Sequence, residues 1–192
     1  MTLLIVGLVL FLGLHLVRVV APGFRSAMVG MIGLNGWKGL YSLVALVALA
    51  LIAYGYSLAP VVNVWFPPPG MNHLTVTLML IATICLVASL LPAGQIAAKT
   101  KHPMVLAIKI WAFAHLLSNG DLRSILLFAS FLAWGVILRI ALKRRERAGE
   151  LVRPPFVSAR YDAYAVIIGL VVWAAITFKL HELIIGVSPL AM

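Results

Sequence analysis

The sequence predicts an all-α protein, a polytopic membrane bundle of about six transmembrane helices that forms one domain over residues 1–192. Composition is the first reason: 64% of residues are hydrophobic and 10% charged, a balance foreign to soluble globular domains. The second is run length. Crossing hydrocarbon takes about 20 helical residues, and the chain repeatedly offers apolar runs near that length. The third is exclusion of the alternative. Backbone groups in lipid must be satisfied within the segment, and these runs are too long for barrel strands.

The elements follow in order. Leu3–Val20 is the first run, closed by Ala21-Pro22-Gly23. Its charge follows rather than precedes it, so it reads as a retained helix and not a cleaved signal peptide. Gly30, Gly33, Gly36 and Gly39 then recur every third residue, a spacing that suits either a close helix contact or the loop begun by Pro22-Gly23. Leu40–Leu58 is the second run and stops before Pro67-Pro68-Pro69-Gly70. Leu74–Leu91 is the third, ended by Pro92-Ala93-Gly94. Met104–Leu117 is short, so its helix is expected to begin near Lys99 or to lie half-buried against neighbours. Ser118-Asn119-Gly120-Asp121 closes it. Ser124–Leu142 runs into a basic stretch from Lys143, and Ala163–Leu183 is the sixth run.

Charge sets an orientation. Arg18, Arg25, Lys38, Lys99, Lys101, Arg139, Lys143, Arg144, Arg145, Arg147, Arg153 and Arg160 fall on one side of the spans, with only Arg123 near the other boundary. That side is expected to be cytoplasmic, with both termini facing away from it. The net charge of +10 therefore reads as topology signal beside a lipid bilayer, and no nucleic-acid partner is expected. The single cysteine, Cys85, rules out an internal disulfide and any Cys-rich zinc or iron–sulfur site.

Histidines carry the chemistry. A polar group in hydrocarbon costs several kcal/mol unless partnered, so such residues usually line a site, and imidazole is the commonest protein ligand for iron, zinc and copper. His15 lies about 7 Å from the cytoplasmic end of its run, and His102 opens the fourth run at that same surface. His115 stands thirteen residues further on, about 20 Å deeper and on a largely different face. One straight helix cannot present both of these to a single iron, so any pair must come from different helices.

Depth groups His15 with His102, and His115 loosely with His73 and His181. His73 beside Asn72, and His181 beside Lys179 and Glu182, read as interfacial residues. The inner layer suits a haem. Its macrocycle needs apolar walls, and Arg18, Arg25, Lys99 and Lys101 stand where propionates would end; Arg18 shares a face with His15 at i, i+3. Zinc lacks a three-ligand set, because Glu146 and Glu150 lie in the basic loop. Lys109 is an outlying cation whose candidate partners are Asp162 or a polar group of a ligand.

The run Lys101-His102-Pro103-Met104…Trp111-Ala112-Phe113-Ala114-His115-Leu116-Leu117-Ser118-Asn119-Gly120-Asp121-Leu122 resembles the signature of the NnrU family. So do His15, Gly36-Trp37-Lys38-Gly39-Leu40-Tyr41-Ser42-Leu43 and Trp65-Phe66-Pro67-Pro68. The resemblance covers nearly the whole chain. It implies a polytopic bacterial inner-membrane protein associated with nitrite and nitric oxide reduction in denitrifiers, by electron transfer, sensing or maturation. Denitrification redox proteins are then candidate partners.

The same superfamily contains the plant 15-cis-ζ-carotene isomerase, which depends on haem b, and whose essential histidines correspond by motif to His15 and His102. Candidate cofactor-binding residues are accordingly His15, His102, His115, Arg18, Lys101 and Trp111, with His15 and His102 as iron ligands. With no Cys-x-x-Cys-His motif, the haem would be b-type. The isomerase has a cysteine just upstream of its His-Pro pair, where this chain has Lys99-Thr100-Lys101. Haem binding therefore carries over better than isomerisation of a polyene or other hydrophobic small molecule, which is the alternative function. His102-Pro103 also resembles the Arg-His-Pro motif of isoprenylcysteine carboxyl methyltransferase-like enzymes. Their downstream acidic element is poorly echoed by Arg147-Ala148-Gly149-Glu150-Leu151. A cofactor-free scaffold is the remaining reading.

Overall fold

The first apolar run becomes helix α1 (Thr2–Val20), and Ala21 alone separates it from α2 (Pro22–Leu58). The coordinates are a computed structural model in which residues 1–190 are described. A loop before Leu40 is not what forms: α2 starts at Pro22 and runs for 37 residues. Proline is tolerated at a first helical position because its missing N–H would have had no partner there. The glycine signal survives only as a kink at Gly33 (φ 74°, ψ 167°). No other helix comes close to Gly30, Gly33 or Gly39, so their spacing serves no helix contact.

Helices α3 (Met71–Leu90), α4 (Gln95–Thr100) and α5 (Pro103–Ser118) follow. The short fourth run does not reach back to Lys99 as one helix. It divides at Lys101, whose φ of 69° turns the chain, and α5 restarts with Pro103 at its first position. Then come α6 (Leu122–Arg147) and α7 (Arg160–Ala175), which passes through a π-helical turn at Ile176–Leu180 into α8 (His181–Ile185). Among the described residues five helical stretches are long and apolar enough to cross a membrane, and the 16-residue α5 is a shorter apolar helix.

The principal contacts set the helices in a row: α2 on α1, α1 on α6, α6 on α5, α5 on α3 and α3 on α7. Small residues allow the closest approaches, as is usual where lipid supplies no hydrophobic drive between helices. Gly7 lies against the backbone of Ile52 and Gly55 against that of Leu4, beside a core of Leu4, Leu8 and Ile52. Gly169 of α7 meets Ile84 of α3 in the same way, near Val87, Ala88 and Ala165. Val9, Leu43, Leu46, Ile167, Val171 and Leu183 point outward, as a lipid-facing surface requires.

Polar contacts concentrate at the two ends. At the end carrying Lys143–Arg147 (the basic end), the Asp162 carboxylate accepts hydrogen bonds from the Gln95 and Ile96 N–H groups, at 2.7 and 2.8 Å. It thus caps α4 from α7, with Gly94 packed against it. Asp162 is therefore not the partner of Lys109, whose stem instead crosses α6 at Gly135. At the far end Asp121 caps α6 by accepting from the Ser124 N–H at 3.1 Å and from the Ser124 hydroxyl at 2.6 Å. Tyr56 Oη meets Ser124 Oγ at 2.7 Å, and an Asn63–Asp121 bridge ties the two turns. The Asn119-Gly120-Asp121 element thus docks the start of α6 onto the end of α2.

Candidate functional site

The sequence-predicted residues cluster about α6. Helix α1 runs parallel to it, since Phe11 meets Phe131 (ring centroids 5.8 Å) and His15 meets Trp134 (6.2 Å). Helix α5 runs antiparallel: His115 stacks on Phe128 (4.7 Å), Lys109 crosses Gly135, and His102 Nε2 lies 3.1 Å from Glu146 Oε1. His102 precedes the first helical residue, so helical register does not turn it away from α6. Both α5 histidines reach the same neighbour.

His15 hangs on its own helix. Its Nδ1 is 2.7 Å from the Phe11 carbonyl. A carbonyl only accepts, so Nδ1 carries the proton and a neutral ring keeps its Nε2 lone pair free. A histidine oriented in this way is prepared as a metal ligand. Phe11, Tyr41 and Trp134 stand around the ring, at centroid distances of 4.2, 5.4 and 6.2 Å. His115 repeats the pattern with the Trp111 carbonyl at 2.8 Å. His181 does so with Val187 at 2.6 Å, and its ring lies 6.4 Å from that of His115. His73 is exposed and apart from these.

The shared inner layer of His15 and His102 is not reproduced as drawn from sequence. His15 is level with Trp134 and hence, through Gly135, with Lys109. From Lys109, His102 lies seven residues toward the basic end and His115 six toward the far end, about 11 and 9 Å respectively. His15 sits between them. As the N-cap of α5, His102 stands at the last turns of α6 beside Glu146.

The two intervals differ in content. Between the levels of His15 and His115, rings fill the space: Trp111 packs on Phe131 at 5.3 Å and on Phe128 at 5.1 Å. Trp111 therefore belongs to this packed aromatic layer. From the level of His15 toward His102, α6 carries two buried donors with no hydrogen-bond partner, Trp134 Nε1 at the His15 level and Arg139 Nη1 beyond it. Lys109 likewise has no carboxylate partner among the described residues. Buried donors are nearly always satisfied, and a third such donor on α6, Arg123 Nε, lies at the far end, 3.4 Å from the Asp121 carboxylate.

At the basic end Glu146 holds two partners. It accepts both arms of the Arg153 guanidinium, at 2.6 and 2.7 Å, and touches His102. The Arg153 fork holds its carboxyl down at about 2, as a bidentate pair does. Burial, with Arg139 nearby, holds the His102 imidazole below its ordinary range, and Glu146 offsets this only in part. His102 Nε2 makes the 3.1 Å contact with Glu146 without the alignment of a hydrogen bond.

Arg18 and Lys101 lie elsewhere. Arg18 is exposed and lines a cleft between the α1–α2 turn and α6. Lys101 lines a second cleft of about 750 Å³ together with His102, Arg153, Pro154 and Pro155. Neither cleft is lined by Trp134, Arg139 or Lys109. Arg139 and Glu146 are absent from the sequence-based site because both read as charges flanking a basic loop. Their signal is a spacing of seven on one α6 face.

Among the described residues no three His, Cys, Asp or Glu side chains converge as a metal site. A haem asks for something else: one or two imidazoles, apolar walls and donors for two carboxylates. His15, its aromatic neighbours, His102 and the orphaned donors of α6 fit that list. Cys85 is buried on α3, which packs on α5 and α7 rather than on α6.

A family model described as NnrU protein matches residues 3–189. No curated protein and no solved structure matches the chain.

Proposed function

Because the chain belongs to the NnrU family, we propose that it is a membrane protein that holds a b-type haem beside α6 and supports nitrite and nitric oxide reduction. The observation that carries the haem reading is the pair of buried, unpartnered donors, Trp134 Nε1 at the level of His15 and Arg139 Nη1 beyond it toward His102. Two histidines are the proposed iron ligands. His15 offers Nε2 from a ring already fixed by the Phe11 carbonyl; His102 offers its nitrogen once it leaves Glu146. Phe11, Tyr41 and Trp134 supply apolar walls, and Arg139 and Lys109 neutralise carboxylates inside the bilayer. The bound group would supply one-electron chemistry at iron. The role in denitrification rests on the family resemblance, and its redox proteins are the proposed partners.

Purification from cells supplied with a haem precursor, followed by pyridine haemochrome analysis, tests this. A stoichiometric b-type spectrum with a Soret band is expected. Colourless, folded protein from such cells would discard the haem and leave a scaffold.

The proposed setting is the bacterial inner membrane, with the basic end cytoplasmic. Helix α1 begins, and α8 ends, at the far end from Lys143–Arg147, so reporters fused at both termini should read out on the periplasmic side. The C-terminal fusion point, Met192, lies outside the described residues. A reporter placed within Ala148–Val152 should read out in the cytoplasm. A cytoplasmic signal from either terminus would reverse the orientation or remove one crossing.

A further inference from the structure

The basic end holds a second feature that this reading leaves unused. The turn between α1 and α2 and the last turns of α6 enclose a cleft of about 620 Å³. Arg18, Arg25, Arg144 and Arg145 line it, with Val19, Ile137, Ile140 and Ala141 as apolar wall. Its one carboxylate, Glu150, is engaged 3.3 Å from Arg145. Arg18, Arg25 and Arg144 have no carboxylate partner among the described residues.

Three guanidinium groups without a carboxylate partner therefore face one space.

We propose that this cleft binds the phosphodiester headgroup of an anionic glycerophospholipid. The phosphate sits among Arg18, Arg25 and Arg144, and an acyl chain lies along Val19, Ile137 and Ile140. Guanidinium forks match phosphate oxygens in geometry as well as charge. The apolar wall argues for a lipid over a free anion. Ile137 and Ile140 are about half exposed, at 46% and 48%, on the outer flank of α6 that continues into the bilayer-facing surface. Basic pockets between helices at a membrane surface are where such headgroups bind. The other basic cleft differs, because its Arg153 is already committed to Glu146.

Native mass spectrometry of the protein in neutral detergent, titrated with phosphatidylglycerol or phosphatidylcholine, tests the assignment. Phosphatidylglycerol should be retained in preference, and Arg25→Gln/Arg144→Gln should weaken its retention by about tenfold or more, the scale set by two basic residues at a membrane surface. Lys99→Gln/Arg147→Gln removes equal charge outside the cleft and should retain the lipid. Equal loss in both variants would show a diffuse surface field and overturn the site. Displacement of the lipid by millimolar inorganic phosphate would overturn the lipid in favour of a free anion. Should the glutamine pair not fold, the unaltered protein still decides: equal retention of the two lipids sinks the proposal.

Discussion

Replacing His15 by alanine is expected to remove the low-spin haem spectrum and cut haem content by well over about tenfold, because even an outer partner of a metal ligand is worth that much. The ring has no substitute at its level: its neighbours Phe11, Tyr41 and Trp134 provide walls and no imidazole. His102→Ala should abolish or convert the same spectrum, whereas His73→Ala should leave it intact. His115→Ala is the discriminating case. The interval between His15 and His115 is filled by Trp111, Phe128 and Phe131, so its loss should perturb packing before it perturbs iron. Optical spectra of the four purified variants decide the matter. Loss of haem in His115→Ala with retention in His102→Ala would move the cofactor to the far side of His15. The orphaned donors of α6 would then need another explanation.

The second large effect is on stability. A Cβ on Gly55 would run into the backbone of Leu4, and one on Gly7 would come 2.7 Å from the Ile52 nitrogen. Backbone cannot swing aside as a side-chain tip can, so Gly55→Val should push α1 off α2. Overpacking of this kind costs about 1–3 kcal/mol and sometimes more. The chain should lose thermal stability in detergent and lose monodispersity on size exclusion. Gly13→Ala is the control. Nothing lies within 4 Å of its added carbon, and alanine is favoured over glycine in a helix by about 1 kcal/mol. If Gly55→Val melts with the parent protein, the contact between α1 and α2 is looser than described.

Much of this was legible in the residues. Apolar run lengths and punctuation place α1, α3, α5, α6 and the stretch from α7 to α8 within a few residues, and the end but not the start of α2, because satisfying the backbone in lipid leaves few choices. The histidines announce themselves by cost. What stays hidden is direction. Arg139 counts toward an orientation wherever it points, and only the partner helix shows that its guanidinium is partly buried beside His102. Pro22, Gly23 and Gly33 spell a loop by composition, yet proline at a first position and glycine at one kink are both compatible with a long helix. Lys101 carries no sign of the positive φ that separates α4 from α5.

The row of helices also has an order in time. Helices α1 and α2 pair directly, as do α3 and α5, but these two groups meet through α6, which packs on α1 with one flank and on α5 with another. During synthesis α6 emerges after both groups are complete in sequence. It must then enter the bilayer between partners already made, as a keystone enters an arch. His15 and His102 are translated long before anything joins them, and Trp134, Arg139 and Glu146 arrive together on the joining piece. These neighbours come together in one late step, so a nascent chain ending at Gly120 holds both histidines and none of the α6 groups placed around them.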